Sequence, residues 1–314
     1  MEKAIQSVLS QTYREFELIV VNDGSTDNPL PPKGGYENIS MDIPVDINSG
    51  DIPPLGGWGV LTQENQGVSL ARNNGVKVAQ YDYIAFLDAD DWWEPTYLEE
   101  MKNLIEEFPQ AGIYGSGYFL IKNGNKRVAP VGVEHTFEKG LINYCRTYSN
   151  TLCMPLTSIS TIILKQIFLS ENGFNPVLKM GEDFDLWIRL AMKYPVIFLN
   201  KPLANYNQDV ELAYRAIGEK LYEPHEHMLF TDYGALQNNP EFQYLYERLA
   251  VYGLLPYYLT GKNRKEVTRI LSEIHWENHT FKYKLYYKIF PIVIVQFWMH
   301  FLRAGSILKQ KMLS

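Results

Sequence analysis

The chain has 314 residues, 46% hydrophobic and 21% charged, a globular composition with room for one large domain or a domain of ~200 residues plus an extension. A net charge of −7, with no dense Lys/Arg stripe before the C-terminal region, excludes a nucleic-acid binder held by phosphate contacts. Two cysteines, Cys145 and Cys153, are too few for a disulfide framework and lack zinc-ligand spacing. Residues 1–12 hold no apolar run of signal-peptide length, so a reducing, cytoplasmic setting is the default expectation.

In chain order, residues 2–11 place Ala4, Ile5, Val8 and Leu9 on one helical stripe. "FELIVV" (16–21) is a short apolar run suited to a parallel strand covered on both faces, and it enters the turn-rich "NDGSTDNP". The Pro/Gly-rich stretch 29–57 cannot hold a long helix. Inside it Ile39, Met41, Ile43, Val45 and Ile47 alternate as in an edge strand broken by Pro44. "WGVLTQ" predicts a strand, "GVSLARNNGVKVA" a helix, and "YIAFLDADD" a buried strand ending in acids. A helix follows over 95–107. Residues 111–133 read as two strands around an Asn-Gly turn, "TSISTIILK" as a strand, "GEDFDLWIRLAMKY" as a helix and "PVIFLN" as a strand. Strand–helix alternation gives an α/β domain over 1–207. Residues 208–314 read as a helical, Tyr-rich extension.

Two acidic clusters carry the chemistry. Asp88 and Asp90 are two apart, so an extended strand would point both to one side. At the carboxyl end of a parallel strand they would face the crevice where open α/β sheets bind ligands. Two hard oxygen ligands suit Mg²⁺ or Mn²⁺ completed by phosphates and water. Simple helix capping by Asp91 and Glu94 would explain Asp91 and leave Asp88 without a purpose. A calcium loop fails, because Trp92 and Trp93 stand where it needs a donor and a glycine. The second cluster, Glu182 and Asp183, opens an amphipathic helix. There an acid either satisfies free backbone N–H groups or serves as a base on a rigid element.

"AIQSVLSQTYREFELIVVNDGSTD", "ENQGVSLARNNG", "YIAFLDADDWWEP" and "GFNPVLKMGEDFDLWIRL" occur in the order found in inverting family 2 glycosyltransferases, which the chain resembles over roughly 2–207. The resemblance implies a GT-A fold, a Rossmann-like, mixed, mostly parallel sheet flanked by helices. It implies a nucleotide-sugar donor, most often a UDP-sugar, held with Mn²⁺ or Mg²⁺. In that pattern Asp23 matches the acid on the nucleotide base, Arg72 a donor-site arginine, Asp88 the acid near ribose or metal, and Asp90 the metal ligand on the diphosphate. Asp183 looks like the catalytic base, with Glu182 beside it. The acceptor implied is a hydroxyl of a glycan or lipid-linked glycan.

Three departures stand out. Members of the family usually open with a strand before the first helix, and here Met1 leads directly into the helix; a segment upstream is expected to supply that strand. The Pro/Gly-rich stretch replaces a helix. Asn207 stands where "YR" is common. His225 and His227 read as solvent-facing helix residues, with a third metal ligand as the less favoured role. The tail segment "LYYKIFPIVIVQFWMHFL", interrupted by Lys288, Pro291, Gln296 and His300, is a poor membrane span; it suits either an interfacial helix on the cytoplasmic membrane face or a docked C-terminal helix. The rival to an enzyme is a catalytically inactive chain of the same fold that binds a nucleotide-sugar or glycan.

Overall fold

The computed structural model describes residues 1–26, 45–46, 57–209 and 220–298. Helix α1 (Glu2–Leu9) buries the stripe Ala4, Ile5, Val8 and Leu9. Just past its end Gln11 is fully buried, and its amide is satisfied on both sides: Nε2 donates to the Ser7 and Glu94 carbonyls, and Oε1 accepts from Leu98 N. A buried amide costs little only when paired in this way, and the pairing ties α1 to the segment 94–98.

Strand β1 (Leu18–Asp23) and the short β2 (Val45–Asp46) flank β3 (Trp58–Gln63) in an all-parallel three-stranded sheet. Of the run expected to be covered on both faces, only Val20 is buried in β1. β1 pairs with β3 alone, and among the described residues no strand joins it to the second sheet. Apart from Val45 and Asp46, the alternating segment 39–47 lies outside the described residues. Helix α2 (Val68–Val78) follows β3.

The second sheet has seven strands: β4 (Tyr83–Ala85), β5 (Trp92–Trp93), β6 (Ile113–Lys122), β7 (Asn125–Val128), β8 (Lys139–Ile142), β9 (Thr161–Leu164) and β10 (Val196–Asn207). β6 and β10 run parallel at its centre, where Ile113, Tyr114 and Phe198 are fully buried; the other pairings in this sheet are antiparallel. Pro202 cannot donate to a ladder, and β10 shifts register on either side of it. Gly117 lies opposite: a Cβ there would sit 3.1 Å from the Lys201 and Pro202 backbone. Asn123 and Gly124, both at positive φ, make the expected two-residue turn between β6 and β7.

Helices α3 (Tyr97–Glu107), α4 (Tyr144–Thr151), α5 (Lys165–Ser170) and α6 (Glu182–Ala191) complete the α/β unit. Phe86, Phe168, Phe174 and Trp187 pack edge-on or tilted, with neighbouring ring centroids 5.3–6.0 Å apart. These rings underlie the acidic site described below. The structure is thus a mixed α/β fold with flanking helices and a helical C-terminal extension. Two compact units divide the chain: residues 1–218 with 226–228, and 219–225 with 229–314. The second unit contains α7 (Pro240–Gly253), α8 (Leu255–Thr260) and α9 (Arg264–Glu273). Among the described residues no helix is long and apolar enough to cross a membrane.

Candidate active site

The segment carrying Asp88 and Asp90 departs from its expected form. β4 ends at Ala85, and residues 88–91 form a turn closed by Asp91 N donating to Asp88 O at 3.1 Å. Two carboxylates two apart therefore do not share a strand face. What gathers the acids is Arg72, on α2. Its Nη2 lies 2.6 Å from Asp88 Oδ1, and its Nη1 lies 3.1 Å from Asp183 Oδ1 and 3.6 Å from Glu182 Oε1. One guanidinium fork thus bridges the 88–91 turn to the first turn of α6, as its planar donor set permits. The Arg72 side chain is 11% exposed, against 35% for Asp88 and 25% for Asp183, so the cation forms the floor and the carboxylates face outward. Its guanidinium carbon lies 5.0 Å from the centre of the Phe174 ring, a cation–π contact on the aromatic layer beneath. Asp88 and its partners hold the Arg72 charge well above the ordinary arginine range against the opposing effect of burial.

Neighbouring side chains fix this arrangement. Asn73, next to Arg72, donates through Nδ2 to the Phe174 carbonyl at 2.8 Å and accepts from Phe174 N at 2.9 Å, which pins the ring under the guanidinium. Buried Ser158 donates to Asp183 Oδ2 at 3.0 Å. Gly181 precedes α6 as its N-cap at φ +79°, where a Cβ would also meet Met228 Cγ at 2.2 Å, so this position needs glycine on two counts. Asp185, the third acid of the turn, is structural: its Oδ2 accepts from Arg189 Nε and Nη2 at 3.0 and 2.9 Å.

Asp91 does not cap a helix. It is buried, its Oδ1 accepts from Asn207 N at 2.6 Å, and its Oδ2 has no hydrogen-bond partner. Burial pushes it up to about 8. Asn207 thus enters through its backbone, as the clamp that holds the acidic turn to the end of β10. Asp90 takes part in no ion pair among the described residues; burial, with repulsion from Asp88, pushes its carboxyl up. Tyr206 is pushed up to about 12 by burial and by Asp91, Asp88, Asp90 and Asp183. Its phenol belongs to the site although nothing in the motifs marks it.

Asp23 is held by other partners than Arg72. Its Oδ1 accepts from Gln63 Nε2 at 2.8 Å and Gln66 N at 2.9 Å, and its Oδ2 from Gly67 N at 2.8 Å. It holds the loop that leads into α2. Of the two tail histidines expected to face solvent, His225 is exposed and His227 is not. His227 is buried, pairs its backbone with Met180 and is pushed down to about 4 by burial; His225 lies in a single 3₁₀ turn. Among the described residues no group of three His, Cys, Asp or Glu side chains could hold a metal ion. A dication here would draw at most two protein carboxylates, and an unpaired Asp90 fits that demand, with the remaining ligands coming from phosphate and water.

Glu182 carries a pH signature. Burial and the adjacent Asp183 push it up, to about 7, against the pull of Arg72. In the folded state it holds its proton when the unfolded chain has already lost it. Its contribution therefore destabilises progressively as pH rises from about 4.5 to 7, and is fully adverse above that. Glu182→Gln is expected to flatten the fall in stability across that window, measured by urea unfolding at half-unit pH steps; an unchanged slope would contradict the assignment.

Residues 1–155 match the model for glycosyl transferase family 2. The chain is 35% identical over 219 residues to the glycosyltransferase GlyA of Streptococcus pneumoniae, covering 66% of this chain and 28% of that one. It is 27% identical over 220 residues to the amylovoran biosynthesis glycosyltransferase AmsB of Erwinia amylovora, covering 67% and 66%. An uncharacterized glycosyltransferase of Rickettsia felis is 26% identical over 240 residues, of which this chain spans 36%. The chain therefore covers about a third of the length of several curated relatives. The crystal structure of Staphylococcus aureus TarS 1–349 with UDP-GlcNAc superposes with a TM-score of 0.62 at 16% identity, over 87% of this chain and 76% of that one. Residues 1–155 thus carry the glycosyl transferase family 2 match, and the fold is GT-A.

Proposed function

We propose that the protein is an inverting glycosyltransferase that moves a sugar from a nucleotide-sugar, a UDP-sugar above all, to a hydroxyl of a glycan or lipid-linked glycan. The observation that carries this reading is the Arg72 bridge, which brings an acid of the donor-side turn (Asp88) and an acid at a helix N-terminus (Asp183) to one guanidinium. Single-displacement transfer needs both halves: a site that holds the activated donor, and a carboxylate beside the anomeric carbon to accept the acceptor proton. Asp183 retains capacity for that proton. Each carboxylate oxygen offers two lone-pair sites, Arg72 and Ser158 occupy one on each oxygen, and the side chain is 25% exposed. Asp90, with Asp88, would hold Mn²⁺ or Mg²⁺. A bound dication supplies charge neutralisation at the diphosphate leaving group. Asp23 contacts the nucleotide base, and Glu182 supports the base next to it.

The UDP-GlcNAc held by TarS supports a UDP-sugar donor, and the part of AmsB in amylovoran biosynthesis supports a glycan acceptor. A thermal-shift screen of nucleotide-sugars with and without Mn²⁺ tests the reading. A UDP-sugar at a hundredfold excess over its Kd stabilises the folded state by ~2.7 kcal/mol, so a Tm rise confined to UDP-sugars with Mn²⁺ is expected. Equal response to all nucleotides, or none, would contradict it.

A further inference from the structure

The chain's charge is divided unevenly. Residues 281–314 hold six basic residues (Lys282, Lys284, Lys288, Arg303, Lys309, Lys311) and no acidic one, whereas residues 1–280 hold 23 basic against 36 acidic. The described part of that basic segment, 281–298, also carries a concentration of exposed large apolar side chains. Phe281, Ile289, Val293, Ile294, Phe297 and Trp298 are each between 50% and 74% exposed. This exposure is a consequence of packing and not of a loose end. Tyr286, Tyr287 and Val295 are buried, Tyr287 Oη donates to the Val251 carbonyl of α7 at 3.0 Å, and Gln296 Nε2 donates to the Leu259 carbonyl of α8 at 2.6 Å. With Val295 turned inward on the helix 292–298, Val293 and Phe297 lie about 160° away around the axis. The same anchoring that buries one side presents the other.

The chemistry of the patch selects its occupant. Interfaces between proteins are depleted of lysine, and a two-fold contact with a second copy would set these lysines against themselves. Aromatic and branched aliphatic side chains beside lysines, with no acid among them, match a surface that is apolar below and negative above. Lys282 and Lys288 lie over the buried rings of Tyr286 and Trp276, at 5.7 and 5.4 Å from their centres. Screening confines attraction to about 10 Å in ordinary salt, so acids farther away than that do not cancel the local sign.

We propose that residues 281–298 are a docking surface for an anionic lipid bilayer, with Val293, Phe297 and Trp298 entering the acyl boundary and Lys282, Lys284 and Lys288 meeting the headgroups. This inference does not rest on the sugar-transfer reading. Its test is co-sedimentation of the protein with phosphatidylcholine vesicles with and without phosphatidylglycerol, together with sedimentation velocity of the lipid-free protein. At roughly 1 kcal/mol per lysine, anionic vesicles are expected to bind roughly a hundredfold more tightly. Changing all three lysines to Gln should remove that preference, and Val293→Glu with Phe297→Glu should remove binding. The tryptophan emission of the bound protein should shift to the blue, less so in Trp298→Phe. The lysine changes alter only exposed or half-exposed charge, so they test the proposal even if the double glutamate variant folds poorly. Equal binding to both vesicle types, anionic binding that survives the Gln substitutions, or a lipid-free dimer that Phe297→Glu dissociates would each overturn it, the last in favour of self-association.

Discussion

Asp183→Asn is expected to lower the turnover of sugar transfer by 10²- to 10⁴-fold, the usual contribution of a positioned general base, while leaving donor affinity within about threefold of the parent, because an isosteric amide removes no donor contact. The substitution keeps the side chain's shape. The amide oxygen can still accept from Arg72 and the amide nitrogen can donate to Ser158, whose hydroxyl can reverse its role. Only the capacity to take a proton is lost. Release of UDP in the presence of acceptor, set against calorimetric donor binding, separates the effects. Turnover within tenfold of the parent would remove Asp183 from the base role. Tight donor binding by a parent protein that shows no turnover would instead favour a binding module of the same fold.

Arg72→Met carries the largest expected effect on stability. It leaves Asp88, Glu182 and Asp183 facing one another without their shared cation. Removing one partner of a buried ion pair costs about 3–5 kcal/mol. Here the carboxylates are a fifth to a third exposed and water offsets part of that, so about 2–3 kcal/mol is expected at pH 8. The pH dependence has a definite sign. Without the guanidinium the acids repel, their folded-state protonation is favoured, and a raised folded carboxylate loses stability as pH rises. The deficit relative to the parent should therefore shrink on going from pH 8 to pH 5 in urea unfolding. Arg72→Lys should fall between the two, because it keeps the charge and loses the fork that reaches two acids at once. A deficit independent of pH would show that Arg72 acts through packing on Phe174 alone.

Much of this molecule is legible in its residues, for identifiable reasons. Periods are local, so α1 and α6 follow directly from the stripes at Ala4, Ile5, Val8 and Leu9 and at Phe184, Trp187 and Leu190. The Asn123-Gly124 turn follows from the φ those two residues tolerate. The same locality explains the errors. The apolar run 83–87 looks like one long strand, but nothing local marks where the chain leaves the sheet, and β4 stops at Ala85. His227 looks exposed until its segment is seen pairing with Met180. Long-range partners leave no trace in composition. Arg72 meets Asp183 across 111 residues, and Asn73 meets Phe174 across 101. Ser158 is an ordinary serine in sequence; only its 3.0 Å contact with Asp183 gives it a part. Crowding of acids at 88–91 suggests a dication, whereas the folded chain already supplies Asp88 with a protein cation and, among the described residues, gives neither Asp90 nor the buried Asp91 an ion-pair partner.

The proposed function gives Asp90 the donor's diphosphate, through a bound dication. Isothermal titration of UDP into the protein with Mn²⁺, repeated with Asp90→Ala and again without metal, tests this directly. Losing a metal ligand should weaken binding by at least about tenfold, and omission of Mn²⁺ should reduce the parent to the level of the variant. UDP affinity that is the same in parent and variant, and indifferent to Mn²⁺, would contradict the donor site described here.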